Sequence, residues 1–123
     1  MPVRSLGSSV LRWPDRAEVD AGVRSWASVV AEKDDRVRRI GYFGSYARGD
    51  WGVGSDVDLV VVVEQSEQPF ERRALEFDAT GLPVPADLLV YTVAEWDSLL
   101  QDGGRRRTVA DEVVWVFERR TWK

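Results

Sequence analysis

Gly44-Ser45-Tyr46-Ala47-Arg48-Gly49, followed six residues later by Ser55-Asp56-Val57-Asp58-Leu59-Val60-Val61-Val62-Val63, is the stretch whose reading decides the fold. Leu59 to Val63 is unbroken aliphatic sequence, β-branched at four of five positions, the pattern of a strand covered on both faces and therefore central in a sheet. Glycines at 41, 44, 49, 52 and 54 are too many for the interior of one element and suit a backbone that turns sharply or closely approaches a ligand. Asp56 and Asp58 stand at the mouth of the strand, and a period of two sends both side chains to one face, about 7 Å apart along the chain. Like charges so placed repel, and hard oxygen ligands suit Mg²⁺ or Mn²⁺ as compensation; a solvated turn would carry the same acids facing water.

Working outward, Val37 to Phe43 reads as a short strand stopped by Gly44, and Val19, Val23, Trp26 and Val30 form the apolar stripe of a helix over Asp15 to Lys33. Downstream, Phe70 to Phe77 reads as a short amphipathic helix closed by Thr80-Gly81 and Pro83, followed by a strand over Val84 to Tyr91. Thr92-Val-Ala-Glu95 is a capping box ahead of Trp96, Leu99 and Leu100, predicting a helix that stops near Gly103-Gly104. Arg105 to Asp111 adds a helical turn or two, Val113 to Phe117 a last strand, and Glu118 to Lys123 a polar tail. The alternation predicts an α/β (α+β) fold: a mixed sheet with helices packed against it, a single domain over residues 1–123 with its core at about 15–118.

Composition narrows the chemistry. The 123 residues contain no Cys and no His, so thiolate nucleophiles, Ser-His and Cys-His pairs and Cys-based zinc sites are excluded, and catalysis rests on carboxylates, hydroxyls, arginines and bound metal. Seventeen basic against 21 acidic residues give a net charge of −4, which disfavours unspecific attraction to nucleic acid or anionic membranes. No apolar run approaches the roughly 20 residues needed to cross a bilayer and no signal pattern opens the chain, so a cytoplasmic protein is expected.

Ten residues separate Ser45 from Asp56, giving Gly-Ser-x10-Asp-x-Asp. A glycine there lets backbone N–H groups approach phosphate oxygens, and the serine hydroxyl adds a donor, so a phosphate cradle would face the acidic pair. These 17 residues, 44 to 60, resemble the signature of the polymerase-beta-like nucleotidyltransferase superfamily, most closely its minimal single-domain bacterial branch. The resemblance asks for a third carboxylate on a strand after the intervening helix, and Asp87, in Pro85-Ala86-Asp87-Leu88-Leu89-Val90, stands where it is expected. On its own terms, an Asp within an aliphatic strand needs a metal, a partner or an open site.

The family resemblance implies two divalent ions, Mg²⁺ or Mn²⁺, and in-line attack of an acceptor hydroxyl on the α-phosphorus of ATP with departure of pyrophosphate. It implies Asp56, Asp58 and Asp87 as metal ligands and catalytic residues, with Asp87 the candidate base, and Gly44 and Ser45 gripping the β- and γ-phosphates. Arg48 would be a further cation there, unless Asp50 or Glu64 holds it in an ion pair; Tyr46 would pack against the base or fill the core. Minimal members are commonly paired with a HEPN-type ribonuclease toxin, and the resemblance therefore implies an antitoxin that adenylylates a tyrosine of that partner. A chain this short is expected to meet its acceptor as a separate protein. Steric neutralisation without catalysis and nucleotidylation of an aminoglycoside-type antibiotic are the alternative readings. Trp13, Trp51 and Trp122 are expected to be exposed interface anchors, and Arg105-Arg106-Arg107 either docks an acidic surface or RNA or is a solvated cluster.

Overall fold

The computed structural model describes residues 13–102 and 105–119. Helix α1 (Arg16–Lys33) begins where Asp15 caps it: the Asp15 carboxylate accepts the Glu18 N–H at 2.9 Å, and the Glu18 carboxylate accepts the Asp15 N–H at 3.1 Å. Its inner face is Val19, Val23, Ala27 and Ala31. Trp26 lies at the edge of that face and donates its indole N–H to the Asp78 carbonyl at 2.8 Å.

Among the described residues four strands form one sheet in the order β3-β2-β1-β4. β1 (Val37–Phe43) runs antiparallel to β2 (Val57–Val63) on one side and to β4 (Val114–Glu118) on the other. β3 (Ala86–Thr92) lies parallel to β2 on its far side. The aliphatic run is interior, as its composition predicts. Leu59, Val61 and Val63 pack toward α1 and its neighbours, while Val60 and Val62 meet Trp96 and Leu99 on the opposite face. Each fully buried valine there contributes roughly 1.5–3 kcal/mol.

The crossover from β2 to β3 departs from the predicted single helix over 70–77. It is α3 (Phe70–Arg73) tightening into a 3-10 turn at Ala74–Glu76, after α2 (Ser45–Arg48) earlier in the chain. Arg73 turns inward and is 7% exposed, whereas Leu75 is 77% exposed, so the apolar period does not extend through this segment. The third strand starts at Ala86 rather than Val84, because Pro83 and Pro85 cannot donate to a ladder. α4 (Val93–Asp102) opens on the predicted box, with Glu95 N–H to Thr92 Oγ1 at 3.1 Å and Thr92 N–H to Glu95 Oε1 at 2.9 Å. α5 (Arg105–Glu112) then leads into β4.

Two of the expected exposed tryptophans are packed instead. Trp13 lies against the core and donates to the Ser55 carbonyl at 3.3 Å; Trp51 stacks on Tyr46 with ring centroids 5.4 Å apart. Stacking two rings removes apolar area that neither would lose alone. Trp122 and the side chains of Arg105, Arg106 and Arg107 lie outside the described residues. Among the described residues no helix is long and apolar enough to cross a membrane.

Candidate active site

The site lies at the end of the sheet where β1 finishes and β2 and β3 begin. Asp58 and Asp87, each the second residue of its strand, are direct register partners on the parallel pair β2–β3 and project from the same face. Twenty-nine positions apart in sequence, they are neighbours because the crossover returns the chain alongside β2. Asp56 precedes β2 on the exposed loop, after a turn in which the Gly52 N–H donates to Ser55 Oγ at 2.9 Å. Asp87 is exposed and Asp58 half-buried.

Burial, then the charges of Asp87 and of Asp56, push the Asp58 carboxyl above the usual carboxylate range; Arg48 opposes them and Glu112 adds to them. Among the described residues no three acidic side chains stand close enough together to form a ready-made metal cage. The oxygen-only donor set, its mutual repulsion and the open position of Asp87 fit a hard divalent cation as the group that would draw them together. Asp56, Asp58 and Asp87 are the residues that would hold it.

Gly44 closes the other side. Its backbone, at φ +79° and ψ −151°, is in a region only glycine occupies readily, and a Cβ there would lie 2.1 Å from Asp58 Oδ2. The glycine is thus required both by the turn out of β1 and by the carboxylate beneath it. Ser45 opens α2, whose last turn is fastened by Gly49 N–H to the Ser45 carbonyl at 2.9 Å. Tyr46, in contrast, is core: fully buried, with its hydroxyl donating to the Pro14 carbonyl at 2.9 Å.

Arg48 is fixed by two acids. Its Nε donates to Asp50 at 3.1 Å and its Nη1 to both oxygens of Glu112 at 3.3 Å, while Glu64 pairs with Arg38 instead. Glu112 also accepts the Gly44 N–H at 2.9 Å. The linear sequence carries no signal for this residue. The β1–β4 register does: Tyr42 opposes Val114, so Glu112, two residues before Val114, comes opposite Gly44, two residues after Tyr42.

With this geometry in place, the sequence matches the nucleotidyltransferase domain over residues 23–116. The chain belongs to that family. The match spans α1 to β4 and so includes every acid and glycine of the site. The nucleotidyltransferase domain is also similar, at 32% identity over 59 residues, to a Methanocaldococcus jannaschii protein whose name proposes it as a protein adenylyltransferase. That alignment takes in 48% of this chain and 60% of the relative, so the chain spans less than two thirds of the relative's length. Its fold is that of a crystal structure of a proposed nucleotidyltransferase from Sulfolobus solfataricus, with a TM-score of 0.63 at 21% identity, covering 85% of this chain and 84% of that one.

Proposed function

We propose that this nucleotidyltransferase domain transfers AMP from ATP to a hydroxyl of a partner protein. The observation that carries the reading is the register pairing of Asp58 with Asp87 beneath a glycine whose missing Cβ leaves room for the Asp58 carboxylate. The relative's name supports a protein acceptor. By the resemblance of the Gly44-to-Val60 segment, the partner is a HEPN-type ribonuclease toxin, the acceptor is its tyrosine, and the chain is the antitoxin of that pair.

In this reading Asp56, Asp58 and Asp87 hold Mg²⁺, which when bound supplies charge neutralisation on the phosphates and acidifies the acceptor hydroxyl. Gly44 and Ser45 orient the β- and γ-phosphates, and Arg48 adds a cation beside them. The exposed carboxylate of Asp87 takes the acceptor's proton as the acceptor oxygen bonds to the α-phosphorus and the bond to the pyrophosphate oxygen breaks. No histidine is needed for any of these roles.

The test is intact-mass analysis of the co-purified partner after incubation with ATP and Mg²⁺. A gain of one or more AMP units is expected with the wild-type chain and none with Asp58→Asn. Full transfer by that variant removes Asp58 from the mechanism, and no mass gain on any co-purified protein with the wild type removes protein adenylylation.

A further inference from the structure

Two of the three groups assigned to phosphate, the Gly44 N–H and the Arg48 guanidinium, are already engaged by an anion from the chain itself. Glu112, the last residue of α5, places Oε1 2.9 Å from the Gly44 nitrogen and 3.3 Å from Arg48 Nη1, with Oε2 also 3.3 Å from Nη1. A carboxylate and a terminal phosphate present the same kind of acceptor edge to an amide and a guanidinium. We propose that Glu112 is a competing carboxylate built into the nucleotide site: it fills the seat of a phosphate group, gives it up when a nucleoside triphosphate enters, and thereby sets the affinity for that ligand. This rests on the nucleotidyl-transfer reading of the site.

Three features separate this role from one of merely holding Arg48 in place. A positioning carboxylate would bond Arg48 and leave the Gly44 N–H for the ligand, whereas Glu112 takes both. Arg48 keeps a second anchor, Asp50 on its Nε at 3.1 Å, so its guanidinium stays at the site after Glu112 leaves. The Glu112 side chain is 20% exposed at the helix end, which gives it a path to water by rotation of its own bonds.

The experiment measures dissociation constants of the non-hydrolysable α,β-methylene analogue of ATP with Mg²⁺, and of inorganic tripolyphosphate, for wild type, Glu112→Gln and Glu112→Ala. Losing one partly exposed charged competitor is expected to tighten binding about fivefold in both variants. Hydrogen exchange at the Gly44 amide, read in the free protein, is expected to quicken in Glu112→Ala. Wild-type binding with equal or weaker binding by the variants overturns the competing role and leaves the nucleotide site standing. Absence of binding by all three proteins overturns the nucleotide site and this inference together. Unchanged Gly44 exchange in Glu112→Ala would show that the contact is not held in solution, and also overturns the inference.

Discussion

Gly44→Ala tests the coupling between the glycine turn and the acidic pair. Two costs can be worked from the structure. At φ +79° and ψ −151° a side chain is strained by about 1–3 kcal/mol. The new Cβ would also lie 2.1 Å from Asp58 Oδ2 and 3.1 Å from its Cγ, whereas carbon contacts settle near 3.5–4.0 Å. The carboxylate must swing away by roughly 1 Å or more, off its rotamer, at about 0.5–1.5 kcal/mol. Together these give about 2–4 kcal/mol, and in a domain of this size the melting temperature should fall by about 10 °C. The assay is thermal unfolding by circular dichroism of wild type, Gly44→Ala, Asp58→Ala and the double variant. Asp58→Ala removes the clash but not the backbone strain, so the cycle should return a favourable coupling of about 1 kcal/mol while most of the loss persists. A displacement of about 1 Å at a reacting centre is also enough to lower turnover about a hundredfold. A Gly44→Ala variant that melts within about 2 °C of wild type, or a cycle with no coupling, would refute the reasoning.

The raised Asp58 carboxyl gives a pH signature: the folded state binds its proton more tightly than the unfolded chain, so the ionised group opposes folding at neutral pH, and the penalty disappears as pH falls through the folded value toward about 3.9. Asp58→Asn should therefore raise the urea midpoint at pH 7, with the two proteins converging below about pH 3.9; an unchanged midpoint at neutral pH would contradict the electrostatic account. Glu95→Ala should cost about 2–3 kcal/mol, less than the 3–5 of a fully buried pair because the Glu95 side chain is 43% exposed. It strips Arg73 of two bonds at 2.6 and 3.1 Å and also removes the Glu95 carboxylate that accepts the Thr92 N–H in the cap of α4. Arg73 holds the Glu95 carboxyl below its usual range, so this contribution is present above the unfolded value of about 4.3 and is lost as pH falls through the depressed one. Chemical denaturation at pH 7 and in acid should show the gap between wild type and variant closing.

Local chemistry made much of this molecule legible in one dimension. The run Leu59–Val63 has the pattern of a doubly covered strand, Thr92 with Glu95 fastens a helix start across three residues, and Gly44 marks a backbone no other residue adopts readily. Each depends on neighbours a few positions away, which is why spacing alone reveals it. The crossover departs from one amphipathic helix because the burial of Arg73 depends on Glu95 and on the carbonyls of Gln68 and Val90, partners that no local period reports. Trp13 and Trp51 stand in polar or glycine-rich sequence that suggests exposure, yet both pack against the core and Trp51 stacks on Tyr46.

The sequence by itself determined the strands, the caps, the glycine turn and the identity of the acids. Only the tertiary structure decided which of them meet. Asp58 faces Asp87 because β3 returns parallel to β2, and Glu112 reaches Gly44 because β4 pairs with β1 in one register. Register is set by hydrogen-bond ladders and by burial of whole faces, and those are properties of the assembled sheet rather than of any stretch within it.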